Sequence, residues 1–262
     1  MIYSKSEFIN MMEDMGIQPD DTLVVHSSMK AIGNVDGGAD TVLDAFMEYL
    51  EEEGLLILPA HTWKQMGDSY PVFDPETESS CTGILSDLFR QRPGVVRSLH
   101  PTHSVAVYGK RKEEFIKGEE QCNTPCTPGG CWSRIEEEQG KILLIGVGHE
   151  RNTFIHAVEE QLNVPDRLSS SPFDFYIQMK DGSLFHRPMY KHYNTKVSHI
   201  SESYPKLDQA FYENGAAKKI KFGDADCILC DAGKIADVVK RVLSHEINCL
   251  IDREEIPREW YI

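Results

Sequence analysis

"KILLIGVGHERNTFIHAVEE", residues 141–160, decides the fold. Its first eight residues, "KILLIGVG", form the most apolar strand-like run of the chain. The apolar positions are continuous rather than alternating, which is the pattern of a strand buried on both faces. Gly146-Val147-Gly148 ends that run, and Asn152 or Thr153 stands where a helix N-cap belongs. A buried strand, a short turn and a helix form the repeating unit of an α/β sheet.

The same unit recurs outward from there. "TLVVH" (22–26) is a buried strand, and "ADTVLDAFMEYLEEEG" (39–54) is a helix with Val42, Leu43, Phe46 and Leu50 on one face. "LLILPA" (55–60) is the next strand, "GILSDLFRQRPG" (83–94) a helix, and "SVAVYG" (104–109) a strand. Ahead of them, residues 4–15 carry helical spacing at Phe8, Met11, Met12 and Met15, with Gly16 as a stop.

Beyond about residue 170 the texture changes to alternation. "FDFYIQMKDGSLFHRPMY" (173–190) reads as a hairpin around Asp181-Gly182, and "KKIKFGDADCILC" (218–230) as a second around Gly223-Asp224. "DAGKIADVVKRVLSHEI" (231–247) closes as a helix. No Pro/Ser-rich linker, repeat or low-complexity tract divides the chain. Residues 1–262 are therefore expected to form one α/β domain: a mostly parallel central sheet flanked by helices, with antiparallel hairpins in the C-terminal half.

A 262-residue chain that is 40% hydrophobic can bury a sizeable core. A net charge of −15 repels phosphate backbones, which argues against nucleic acid; solubility is the usual reading of such a charge, and attraction of a small cationic substrate is the sharper one. No apolar run approaches the roughly 20 residues of a membrane span. "MIYSKSEFINMMEDMG" is amphipathic and acidic, unlike a signal peptide. Seven cysteines, an odd number, do not suit a secreted disulfide scaffold, so a cytoplasmic location with reduced thiols is expected.

Three polar constellations carry candidate chemistry. In "VVHSSMKAIGNVDGGADTVLDAF" (24–46) a strand ends at His26-Ser27-Ser28, and Gly37-Gly38 open a helix. Backbone N–H groups at such a start can hold a phosphate, although the pattern is neither a Walker loop nor a dinucleotide fingerprint, and a plain strand-turn-helix stays open. "RSLHPTHS" (97–104) sets Arg97, His100, His103 and Ser104 before a strand; with no carboxylate or cysteine beside them, ligand hydrogen bonding is favoured over zinc. The spacings of Cys122, Cys126, Cys131, Cys227 and Cys230 make no zinc knuckle, so no metal is expected.

The third constellation is His156, one turn into its helix and open to solvent on this reading, with Glu159 and Glu160 three and four residues on. A helix N-terminus keeps an imidazole neutral, while a carboxylate pulls it towards imidazolium and orients it. A histidine balanced in that way suits general-base work. A structural polar residue is the alternative.

Taken in order, "VVHSSMKAIGNVDGGADTVLDA" (24–45), "GLLILPAHT" (54–62), "PGVVRSLHPTHSVAVYG" (93–109) and "KILLIGVGHERNTFIHAVEE" (141–160) resemble the aminoglycoside 3-N-acetyltransferase family. "ESYPKLDQAF" (202–211) and "FGDADCILCDAGKIADVV" (222–239) are also similar to its members. The resemblance implies direct transfer of an acetyl group from acetyl-CoA to the 3-amino group of a deoxystreptamine ring. The family's N-T-x-x-H-x-x-E pattern, here "NTFIHAVE" (152–159), carries the general-base role to His156 and an orienting role to Glu159. The H-S-S loop carries coenzyme A binding to His26, Ser27 and Ser28. A second coenzyme A segment falls on Arg97, Ser98, His100 and Ser104, and a backbone N–H or hydroxyl near Ser104 is the expected oxyanion donor.

The chain departs from the family at His103, where a small residue is common, and at "NTPCTPGGCWSRI" (123–135). "HRPMYKHYNTKVSH" (186–199) offers no obvious downstream carboxylate. Other classes stay open: an acyltransferase for a different amine, a coenzyme A-binding protein without transfer, or a serine hydrolase using Ser27 or Ser28 without a G-x-S-x-G elbow. His192 and His186 stand next in line as bases.

Overall fold

The computed structural model describes residues 1–50 and 53–262. Its strands are β1 (Ile2–Tyr3), β2 (Thr22–Ser27), β3 (Asn34–Val35), β4 (Leu55–Pro59), β5 (Val72–Phe73) and β6 (Val96–Arg97), then β7 (Val105–Tyr108), β8 (Lys141–Ile145), β9 (Phe173–Gln178), β10 (Leu184–Met189), β11 (Ala217–Phe222) and β12 (Ala225–Asp231). Seven form the central sheet, in the order β11-β12-β8-β2-β4-β7-β6. The core of that sheet is parallel: Val24 of β2 pairs with Ile142 of β8 on one side and Ile57 of β4 on the other. β12 and β7 run against the other five strands, so the pairings on either side of the parallel centre are antiparallel.

Burial on both faces explains the continuous apolar strands. Leu23, Val25, Leu56, Leu58, Leu143 and Ile145 pack on one side with the helices Lys5–Met15 and Ala39–Tyr49. Val24, Leu55, Ile57, Ile142 and Leu144 pack on the other with Cys131–Glu137, Phe154–Gln161 and Ala232–His245. Alternate residues of one strand thus feed two cores.

Both hairpins form where the turn residues are. β9 and β10 close with Gln178 opposite Leu184, but they join β5 in a separate three-stranded sheet. β11 and β12 close with Phe222 opposite Ala225, and β12 enters the central sheet beside β8. Gly223 has φ +59° at the first turn position, and a Cβ there would lie 2.4 Å from the Ile32 carbonyl oxygen. Only glycine fits that turn.

The helix read over 39–54 ends at Tyr49, and its extension over Glu51 and Glu52 lies outside the described residues. The helix read over 83–94 is realised only as Ile84–Phe89. The sequence reading missed Cys131–Glu137 and the 3₁₀ segment Ile200–Leu207.

β2 is flanked by β4 and β8, so the chain reverses its direction of sheet growth at β2. Ligand sites in such sheets open beyond the carboxyl ends of the strands at that reversal.

Candidate active site

A cavity of about 800 Å³ opens there. The end of β2 delivers His26 and Ser27, the end of β4 delivers Pro59 and then His61, and the turn after β8 delivers Val147, Glu150 and Arg151. Thr102, His103, Lys191, His192 and residues 198–202 complete much of the remaining wall, with His156 from the helix Phe154–Gln161.

Thr153 occupies the N-cap of that helix without a side-chain capping bond. His156 is the third helical residue, yet it is enclosed rather than open to solvent, with its side chain 11% exposed. The Tyr204 hydroxyl lies 2.5 Å from His156 Nδ1 and 2.5 Å from Glu159 Oε2. Arg167 Nε donates to the other carboxylate oxygen of Glu159 at 2.7 Å, and both side chains are buried.

The single phenolic proton determines what each atom does. A carboxylate only accepts, so Tyr204 donates to Glu159 and its oxygen accepts from His156 Nδ1–H. Burial and the Glu159 charge push the Tyr204 phenol well above its ordinary range, so it keeps that proton. The remaining ring nitrogen, Nε2, is the basic atom that His156 has for the cavity.

Burial, then the charges of His192, Arg167 and His61, hold His156 well below the ordinary histidine range. The balance expected between helix dipole and carboxylate is therefore not what decides its state. Glu159 Oε2 is 3.8 Å from Nδ1, with Tyr204 between them and Arg167 beside it. Desolvation prevails, and the ring is a neutral base.

Glu160 turns away from Glu159. It accepts from the Cys126 backbone at 3.0 Å, from the Thr124 hydroxyl at 2.5 Å and from His192 Nε2 at 3.0 Å. The His192 ring stacks on His156 with centroids 3.9 Å apart. His186, by contrast, is half exposed and paired with Asp174 on the outer hairpin.

The donor-side residues divide. His26 and Ser27 line the cavity, but Ser28 does not; its backbone N–H donates to Ile145. His26 is buried against Trp132, has an unpartnered Nε2, and is pushed down to about 3 by burial. Arg97, Ser98, His100 and Ser104 stay behind the wall. Arg97 donates to the carbonyls of Ala60, Pro75 and Glu78 and to Ser104 Oγ. Ser98 Oγ accepts from the Val105 backbone, and His100 is held by Thr124, Thr102 and His103. The Ser104 hydroxyl donates to the Ala60 carbonyl at 2.7 Å, which leaves it no proton for an oxyanion. Gly37 and Gly38 are not among the lining residues either.

Sequence reasoning missed Tyr204 and His61, and it named His192 only as a substitute for His156. "ESYPKLDQAF" was a signal of similarity, but nothing local ties Tyr204 to a helix 45 residues earlier.

Among the described residues, Cys126, Glu160 and His192 bring three ligand-type atoms within 4.8 Å of one another. Glu160 already accepts three hydrogen bonds, and burial pushes the Cys126 thiol well above its ordinary range. A protonated thiol is a poor zinc ligand.

The aminoglycoside 3-N-acetyltransferase family model matches residues 24–244. Aminoglycoside N(3)-acetyltransferase IV of Salmonella sp is 32% identical over 165 residues, spanning 62% of this chain and 61% of that relative. The SPbeta prophage-derived aminoglycoside N(3')-acetyltransferase-like protein YokD of Bacillus subtilis (strain 168) is 24% identical over 266 residues and 91% of each chain. The solved apoenzyme AAC(3)-IVa is 27% identical with a TM-score of 0.81, covering 97% of this chain and 93% of that one. A mutant of that enzyme in complex with a gentamicin is 26% identical with a TM-score of 0.82, covering 97% and 93%. The family match runs from β2 to the last long helix and takes in the His156–Glu159 pair, so this chain belongs to the aminoglycoside 3-N-acetyltransferase family.

Proposed function

We propose that the chain transfers an acetyl group from acetyl-CoA directly to an aminoglycoside, at the 3-amino group of the deoxystreptamine ring, and so confers antibiotic resistance. The observation that carries the mechanism is the Tyr204 hydroxyl bridging His156 Nδ1 and Glu159. It leaves a neutral imidazole with a basic Nε2 on the cavity wall. His156 takes the amine proton as the nitrogen attacks the thioester carbonyl; Glu159, through Tyr204, fixes the ring.

His26 and Ser27 contact the donor, while Ser28, Arg97, Ser98, His100 and Ser104 brace the loops that carry the wall. Arg151 and Lys191 suit the coenzyme A phosphates, and Glu150 and Glu202 suit acceptor ammonium groups. The net charge of −15 favours a polycationic acceptor. The gentamicin complex of AAC(3)-IVa supports that acceptor class. No helix among the described residues is long and apolar enough to cross a membrane. All seven cysteines are free, which supports a cytoplasmic location.

The test is thiol release from acetyl-CoA with aminoglycosides and simple amines. Turnover should appear with deoxystreptamine aminoglycosides and weaken as salt screens the charge. Turnover only with other amines would move the acceptor assignment, and none with any amine would remove the transferase reading.

Coenzyme A should also raise the melting temperature. At a hundredfold excess over Kd, mass action stabilises the native state by about 2.7 kcal/mol. For a chain of this size that is a rise of roughly 5–10 °C. No shift at millimolar coenzyme A, with no binding heat, would remove the donor site.

No metal is assigned to this mechanism. Prolonged treatment with EDTA should leave rate and melting temperature unchanged. Stoichiometric zinc, lost together with activity, would reverse that assignment.

A further inference from the structure

A second imidazole lies on the proposed base. His192 stacks on His156 with 3.9 Å between centroids and 23° between planes, and its Nε2 meets Glu160 Oε1 at 3.0 Å. Glu160 is fixed by the Cys126 N–H and the Thr124 hydroxyl. With Nε2 engaged, Nδ1 is the nitrogen His192 has for a ligand, and only a charged ring donates from both nitrogens. The two rings are thus backed by adjacent carboxylates of one helix. His156 reaches Glu159 through a phenol, whereas His192 touches Glu160 directly.

Aminolysis of a thioester requires two proton transfers. The attacking nitrogen sheds a proton and the departing sulfur gains one, and both atoms are bonded to the same carbon in the tetrahedral intermediate. An acid and a base stacked side by side reach both.

We propose that His192, held by Glu160, is the general acid of the transfer. It gives its Nδ1 proton to the coenzyme A sulfur as the C–S bond breaks, while His156 Nε2 takes the amine proton as the C–N bond forms. The products are a neutral amide and a neutral thiol; one proton has left His192 and one has reached His156, and exchange with solvent resets both rings. This rests on the acetyl-transfer reading of the site.

His156 and Glu160 face His192 from their helix, His103 faces it from the loop before β7 at 5.1 Å between centroids, and Cys126 faces it from the loop before Cys131–Glu137. Burial holds His103 and His156 well below the histidine range and the Cys126 thiol well above its own. These three stay uncharged through neutral pH.

The experiment compares wild type, His192→Asn and Glu160→Gln for coenzyme A binding by calorimetry and for kcat at saturating acceptor, with acetyl-CoA and with an acetyl thioester of a more acidic thiol. His192→Asn should bind coenzyme A normally and lose about 10²-fold or more in kcat with acetyl-CoA, and much less with the more acidic thiol, which leaves without an acid. Glu160→Gln should lose kcat in the same pattern, because the ring that it holds is no longer fixed.

A His192→Asn variant within about threefold of wild-type kcat, or one whose loss is undiminished with the more acidic thiol, overturns the acid role. If His192→Asn does not fold, Glu160→Gln decides, and an unchanged kcat or a loss undiminished with the more acidic thiol overturns the role. Wild type that transfers no acetyl group at all overturns the reading of the whole site, which is seen before any variant is made.

Discussion

Replacing His156 with alanine will lower turnover by roughly two to four orders of magnitude, as expected for loss of a general base. The fold should survive. Tyr204 still donates to Glu159 in the variant, so no buried donor is orphaned. The side chain also borders the cavity rather than filling a closed core. Coenzyme A affinity should be nearly unchanged, which places the loss in kcat.

The pH dependence follows from burial. A free imidazole would give a rising limb near pH 6.5. His156 is held well below that, so its limb lies at lower pH and the base is fully neutral at pH 7. Rates that still rise above pH 7 then report the acceptor amine losing its own proton. Initial rates of thiol release at saturating acceptor measure both effects. An alanine variant that acetylates at nearly the wild-type rate would make the histidine structural.

Stability should fall steeply as pH drops from 6.5 to 5. His26 and His149 are pushed down to about 3 and about 4 by burial, and His61, His100, His103 and His156 are also lowered mainly by burial. His26, His61, His103, His149 and His156 are neutral in the native state in this window, whereas the unfolded chain takes up protons below about pH 6.5. Protons then bind the unfolded state preferentially, so the stability present above pH 6.5 is lost as pH falls towards the native values.

Each such group loses about 1.4 kcal/mol per pH unit. His26 and His149 alone account for about 3 kcal/mol between pH 6.5 and 5, against a typical total of about 5–15 kcal/mol. Asp208, raised to about 6 by burial, opposes the trend, but it is one group against five. Urea midpoints from pH 8 to 5 should therefore collapse below pH 6.5. A midpoint that stays flat to pH 5 would mean that the cavity histidines are solvated and chargeable in the native state.

Local chemistry was legible in the chain itself. Continuous apolar runs marked β2, β4 and β8, because a strand covered on both faces has no polar side to show. Gly182 and Gly223 marked the hairpins, because turns of that kind need positive φ. The three-residue spacing of His156 and Glu159 put both on one helix face, since that spacing is nearly one turn. Tertiary structure decided the rest. Periodicity reports burial, not strand direction, so the reversed sense of β7 and β12 came only from pairing. Arg97 and Ser104 looked like ligand contacts, but distant carbonyls at Ala60, Pro75 and Glu78 accept their protons. Tyr204 and His192 lie 48 and 36 positions beyond His156 in the sequence, yet one takes its Nδ1 and the other covers its face. Proton positions in the site follow from those long-range contacts and from burial, and neither is a property of any short stretch of sequence.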